Sequence, residues 1–548
     1  MAIPATLIHE VRTTGNDANG GGFDPANANF ATDGTVDTNT GNTASPVFSS
    51  ASYNFVTGDI GAWLFIKSGT NSIPGWYQIA SVGSNKATLT ASVGSAVLST
   101  SGVPSGPSTA AGIATVGTPT NLTWGVDYSQ QASAQIAYTD MVIGTAGAGQ
   151  MTFTSAGNPV GKNIIGNVLN VTGGTGFTVQ RVVISSTSGT TATVVATGAN
   201  TLGTAASTGG TGNLGGCYLS LGQAGAFTIA NHLIYITGSF TISSASNNVS
   251  GGCFSTSAGC GLKGYGSLRT DTGRATLTAG STISSFTVVT NSSTTVSLTS
   301  NLIIDGNNYT TSRGIAGNHV TNCKVSNCKN NGISATNVSY CEVTGCSTTA
   351  PALSCSGGLL YGCYVHDNTV TGVWANSAAF TISESNTGGS SSGFDDGFTI
   401  SAGVYHNCTA YGNGLHGFRQ QNNSGGLELY NCISYGNSGY QVNGTSNSVR
   451  VQKCALGTGG SGAINGVSAE RQFGNITLTA DPFTNASGGD FSLNNTAGGG
   501  AELRAASLLG AFPGGTTTGY LDIGAAQHQD AGGGSGGGPL IGGRLVQA

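Results

Sequence analysis

Between residues 323 and 454 the chain repeats one short pattern of apolar and polar positions. Written under one another, the copies are Cys323-Lys-Val-Ser-Asn-Cys328, Cys341-Glu-Val-Thr-Gly-Cys346, Cys363-Tyr-Val-His-Asp-Asn368, Cys408-Thr-Ala-Tyr-Gly-Asn413 and Cys432-Ile-Ser-Tyr-Gly-Asn437, with Cys454 opening a degenerate sixth. Each reads cysteine, an outward residue, usually a small or β-branched apolar one, two turn-forming residues, then cysteine or asparagine. Period-two alternation of this kind belongs to strands, not helices. Several copies continue with glycine and an apolar residue: Gly332-Ile333, Gly372-Val373 and Gly417-Phe418. The opening cysteines stand 18, 22, 45, 24 and 22 residues apart, the long interval holding two periods and an insertion near 385–398. A unit this short cannot bury its own apolar face, so copies must stack into a solenoid. Strands of three to five residues joined by Gly and Asn corners predict the coils of a right-handed parallel β-helix over 216–470, in an all-β chain.

Stacked coils place identical positions above one another, so Cys over Cys and Asn over Asn form interior ladders. Buried cysteine acts there as a small hydrophobe; a disulfide framework remains the alternative. All 12 cysteines lie between Cys217 and Cys454, and none sits in a CxxC pair of the kind zinc and redox sites use. Drifted earlier coils are expected at 222–242, 262–269 and 296–306. From Cys217 to Gln527 the chain resembles the pectate-lyase-like superfamily of right-handed β-helices, and Asp490-Phe-Ser-Leu493 with Tyr520-Leu-Asp-Ile-Gly-Ala525 is similar to the closing segment of many such proteins. On that resemblance 471–530 caps one end of the stack, and the 130–215 region closes the other.

Residues 1–200 hold a weaker duplication. Phe55-Val-Thr-Gly-Asp-Ile-Gly-Ala-Trp-Leu-Phe-Ile66 aligns with Val160-Gly-Lys-Asn-Ile-Ile-Gly-Asn-Val-Leu-Asn-Val171, which predicts small N-terminal β modules over 1–125 and 126–215. Between them, 126–140 has helical spacing, with Ala132, Ile136 and Thr139 on one face. Together with Val11-Arg-Thr-Thr-Gly-Asn-Asp-Ala-Asn-Gly-Gly-Gly-Phe23, this arrangement resembles uncharacterised β-helical appendage proteins of tailed bacteriophages. No cofactor is implied. Asn16, Asp17, Asn19 and Asp24 would be the oxygen ligands of a calcium ion, but Gly- and Asn-rich turns produce the same letters, and the bidentate acid of an EF-hand is missing.

Composition narrows the partners. The chain has 91 Gly, 38% hydrophobic residues, only 7% charged residues and a formal net charge of −5. No basic stripe is present to neutralise a phosphate backbone, so nucleic acid is not an expected partner. No apolar run approaches the roughly 20 residues of a membrane span, and the first 25 residues carry no classical export signal. After Asp530 an eight-residue Gly/Ser tether leads to Pro539-Leu-Ile-Gly-Gly-Arg-Leu-Val-Gln-Ala548. Leu540, Ile541, Leu545 and Val546 are the residues it offers for anchoring to another subunit.

Catalytic candidates are few. Cleavage of a polysaccharide, which the superfamily resemblance implies, needs two carboxylates about the scissile bond, or a base with calcium. Glu384, Asp395 and Asp396 bracket the insertion, with His366, His406, His416 and Arg419 on neighbouring coils. Asp395 and Asp396 are adjacent, so on a strand they would face opposite sides. Trp374, Tyr411 and Tyr435 with Gln420 and Gln421 offer ring faces and amides suited to sugars. Three readings follow: a virion structural protein (fibre, spike or capsid appendage) presenting its β-helix to host or glycan; a polysaccharide-degrading tailspike or secreted enzyme; and a bacterial surface adhesin. For the first, the expected partners are other virion proteins and a host-surface glycan, and the resemblance to viral β-helices implies a homotrimer.

Overall fold

The computed structural model describes residues 7–37, 45–90, 119–145, 151–196, 201–226, 232–242, 261–280, 287–291, 298–309, 313–347, 350–387, 392–396, 403–420, 426–444, 449–504, 506 and 522–527, apart from positions 71, 73, 159 and 270. Its body is a right-handed parallel β-helix. Each regular coil places a three-residue strand in an 11-stranded parallel sheet, and its remaining strands in an 18-stranded sheet that is parallel except at Gly22–Phe23. One apolar core runs through the stack from Val11 to Leu456.

The corners explain why so short a motif encodes a coil. Strand Lys324–Ser326 is bracketed by Asn322 and Asn327 at φ 51° and 54°. The equivalent corners of later coils are Tyr340, Gly345, Gly362, Asp367, Phe380, Ser385, Asn407, Gly412, Asn431 and Gly436, all left-handed. Gly and Asn enter this region at little cost, and each such residue bends the chain sharply. Three residues between two bends send one side chain inward and two outward. Val325, Val343, Val365 and Ala410 are the inward ones, fully buried.

The ladders form as the repeat predicts. The Cys323 and Cys341 amides donate to the sulfurs of Cys341 and Cys363 one coil on, at 3.5 and 3.4 Å. In the second column Asn368 Nδ2 donates to Asn386 Oδ1 at 2.8 Å, Asn386 to Asn413 at 3.1 Å, and Asn413 to Asn437 at 2.9 Å. All ten described cysteines are buried free thiols. The 45-residue interval conceals one more regular coil, in which Thr381 replaces cysteine and accepts from the Cys363 amide at 3.4 Å. Glu384 therefore lies on a regular strand, Ile382–Glu384, and not on a loop rising beside a groove.

The modules are two six-stranded antiparallel closed barrels with the same strand order. The first runs Ala31–Val36, Val47–Ser50, Lys86–Leu89, Gly75–Gly83, Trp63–Thr70, Thr120–Asp127; the second runs Ile136–Ile143, Thr152–Thr154, Thr191–Ala196, Gln180–Ser188, Val168–Gly173, Gly210–Leu214. The helix expected at 126–140 is absent. Asp127 closes a turn by accepting from the Ser129 amide, and Ile136–Ile143 is a strand whose inward residues are Tyr138, Met141 and Ile143.

Strand Ile8–Arg12 belongs to the β-helix, not to the first module: it pairs in parallel with Leu233–Thr237 and forms the first rung. The end of the stack is closed by the short helix Leu221–Ala226, whose Leu221 and Ala224 enter the core, so this segment is a plug and the first drifted coil begins only at Leu233. A buried network ties the first barrel to the first coils. Arg269 donates to Asp127 at 2.7 Å and to Glu10 at 2.9 Å, and Arg12 donates to Glu10 at 3.0 Å. The closing segment does not cap the opposite end. Hairpin Phe483–Asn485 and Asp490–Leu493, with 522–526, lies on the flank and covers the outward side chains Ile382 and Ile433.

Candidate functional site

The outer face of the 11-stranded sheet gathers the titratable groups. Successive strands Lys324–Ser326, Glu342–Thr344, Tyr364–His366, Ile382–Glu384, Thr409–Tyr411 and Ile433–Tyr435 are in register, so their first and third residues form two outward columns. Glu342 accepts from Lys324 at 2.8 Å and contacts His366 Nε2 at 3.2 Å. His366 Nδ1 lies 2.8 Å from Asp367. Tyr364 stacks on His366 with centroids 4.1 Å apart, and its hydroxyl donates to Glu384.

The two buried glutamates are driven apart. Burial pushes the Glu384 carboxyl above the usual carboxylate range. Burial acts the same way on Glu342, but His366 and Lys324 outweigh it and hold Glu342 below that range. His366 is raised, because Glu342 and Asp367 overcome the effect of its burial. Opposed carboxyls are the raw material of acid–base chemistry. Here they are separated by the stacked Tyr364–His366 pair and overlaid by Phe491, whose ring lies 6.0 Å from Tyr364 and 5.8 Å from Tyr411.

Further along the same sheet the face opens. A groove of about 550 Å³ is lined by Tyr435, Ser438, Thr458, Gly460, Leu478 and Thr479 among others. Tyr435 lies nearly parallel to Tyr411, centroids 6.2 Å apart. One coil on, the column is occupied by Gly457, and a Cβ there would come within 2.7 Å of the Tyr435 ring. Glycine at 457 is what lets the ring lie this close to the next coil, so Tyr435 sits between Tyr411 and Gly457 at the wall of the groove.

The residues singled out from sequence do not converge. Tyr435 lines the groove. Tyr411 is covered by the hairpin, and its hydroxyl donates to Asp481 at 2.7 Å. Trp374 and Gln420 are buried, which removes both from a glycan-facing role. Asp395 and Asp396 lie on strand Ser392–Asp396, in register with Trp374 and Ala375. Gln421 and the anchoring residues Leu540, Ile541, Leu545 and Val546 lie outside the described residues. Of the residues weighed for calcium, Asn16 accepts from Ala18 and Asp24 from Ala26 in local turns, while Asp17 Oδ1 accepts from the distant Leu219 and Ser220 amides and the Asn19 amide donates to the Ala132 and Cys217 carbonyls. Lys324 and Glu342 were missed, although each fills the outward position directly after a ladder cysteine. Among the described residues no helix is long and apolar enough to cross a membrane.

The class defined by this fold is the parallel β-helix. No family model matches the chain, and no curated protein does. Among solved structures it is similar to pectate lyase Pel9A, at 13% identity and TM-score 0.35 over 57% of this chain and 91% of that one. It is also similar to a double mutant of the periplasmic alginate epimerase AlgG, at 13% and 0.31 over 48% and 72%. A third is ORF18 of Geobacillus virus E2, at 13% and 0.20 over 45% and 53%. Likenesses at these scores carry no argument about activity.

Proposed function

We propose that this chain is a bacteriophage virion protein, a fibre, spike or capsid appendage, that attaches to a host-surface glycan through the groove beside Tyr435. The observation that carries the glycan half is the groove itself, which Tyr435 lines together with Ser438, Thr458 and Thr479 on a rigid sheet. An aromatic residue beside hydroxyl-bearing ones suits a sugar ring, whose two sides are apolar and whose rim is polar. The virion half rests on the resemblance of residues 11–23 and the duplicated modules to phage appendage proteins. Binding of purified chain to an array of bacterial surface polysaccharides is the test. A bound polysaccharide whose affinity falls at least about tenfold in Tyr435→Ala, equivalent to about 1.4 kcal/mol, supports the reading; unchanged binding removes the groove from it. The proposed assembly is a homotrimer bound to other virion proteins. Light scattering at three times the 54.2 kDa chain mass supports it, and a monomer excludes it.

A second reading, glycan cleavage, draws on the opposed carboxyls of Glu384 and Glu342. Carboxyls shifted in opposite directions can divide the acid and base roles of glycoside cleavage. New reducing ends released by wild type and absent in Glu384→Gln would establish it.

A further inference from the structure

A second cavity, of about 270 Å³, lies at the junction between the first barrel and the first coils, far along the stack from Tyr435. Its walls come from elements distant in sequence: Gly61, Trp63 and Gln78 from the barrel, Gln130 from the link between barrels, Arg12 from the first rung, and Ser267 and Leu268 from a later coil. The buried network of Glu10, Asp127, Arg12 and Arg269 fixes these elements against one another, so the cavity is preformed.

Arg12 spends Nε and Nη2 on Glu10, Gln130 and Tyr265, but other donors of the lining are uncommitted. Gln130 is only 6% exposed; its Oε1 accepts from Arg12 at 2.8 Å, while its Nε2 donates to no group among the described residues. The Trp63 indole N–H likewise has no acceptor among the described residues, and the Gln78 amide makes only a long 3.5 Å contact to the Gly61 carbonyl. Neither the Gln130 nor the Trp63 donor is a fully enclosed atom, so both reach the open space of the cavity and are available to a ligand that enters it. Gly61 is left-handed at φ 86°, and a Cβ there would meet nothing within 4 Å, so the barrel wall leaves space at that point.

We propose that this cavity is a binding site for one neutral pyranose unit. An indole flanked by two carboxamides and a guanidinium supplies one apolar wall and several planar donors, the combination that recognises vicinal hydroxyls on a ring. The volume accommodates a single ring and little more. Neutrality follows from the charge balance behind the wall: Glu10 and Asp127 offset Arg12 and Arg269, leaving no net charge to select an acidic sugar. The site is independent of the Tyr435 groove, and either can exist without the other.

Saturation-transfer NMR on the full chain, with glucose, galactose, mannose and N-acetylglucosamine each at millimolar concentration, is the test. At least one sugar should receive saturation in wild type and in Tyr435→Ala. The signal should weaken at least tenfold in Gln78→Ala and vanish in Ser267→Trp, which fills the mouth from an exposed loop without touching the buried network. No transfer to any sugar of the panel, or transfer that survives both junction variants, overturns the proposal.

Discussion

Asn413 illustrates how much a single ladder position carries. Its amide bridges Asn437 and the Ser383 carbonyl, while its oxygen serves both the amide and the side chain of Asn386. Removing it leaves buried partners unsatisfied on two neighbouring coils, at about 1–3 kcal/mol each. Asn413→Ala should therefore lose about 2–4 kcal/mol in urea unfolding, and Asn413→Cys less, because cysteine fills this column at 328 and 346. Equal losses would show that the side-chain bonds contribute little. A second residue-scale expectation concerns pH. His366 is raised, so its stabilisation is complete below the ordinary value of 6.5 and fades as pH climbs through the folded value. Glu342 is depressed, so its contribution is present above 4.5 and lost as pH falls through the folded value. Together they act most strongly between about pH 4.5 and 6.5. The stability gap between wild type and His366→Gln should thus shrink from about pH 6 to pH 9; a constant gap would mean that the imidazole is neutral throughout. The ladder letters were legible in the sequence because identical residues recur at identical phase. The charged column was not, because Lys324, Glu342, Tyr364 and Ile433 share a position and no chemistry.

At the scale of the element, the hairpin at 483–493 packs on the flank of the stack, with Phe491 against Tyr364, Tyr411 and Phe483. Truncating a buried phenylalanine costs about 3–5 kcal/mol, more than a two-stranded hairpin sustains alone. Phe491→Ala should release the hairpin: hydrogen exchange over 481–494 rises, while Thr381 to Asn386 remain protected. Loss of protection in both regions would instead make the hairpin integral to the stack. Its place on the flank was illegible in Asp490-Phe-Ser-Leu493, since nothing in that segment names the outward Ile382 and Ile433 that it covers. The helix read into 126–140 failed for a related reason. Spacing of Ala132, Ile136 and Thr139 was counted across a turn, and within Ile136–Ile143 the strand alternation determined the structure. The duplicated Gly61 and Gly166 fared better, both left-handed at φ 86° and 88°, because the geometry at that step demands glycine in each copy.

For the whole molecule, stacking sets the dimensions. Eleven strands in one sheet, spaced about 4.8 Å apart, give a column of about 48 Å before the barrels are added. A compact chain of 548 residues would have a radius of gyration near about 24 Å. Small-angle scattering of the single chain should exceed that value and show a rod-like cross-section region; a value at or below it would mean that the barrels fold back along the column. The identity of the first rung also bears on how the protein comes into being. Residues 8–12 leave the ribosome long before Leu233–Thr237, with more than two hundred residues of barrel in between. During synthesis that strand has no parallel partner, whereas each barrel closes on neighbours already made. The first rung of the column therefore cannot pair until the chain has returned past both barrels.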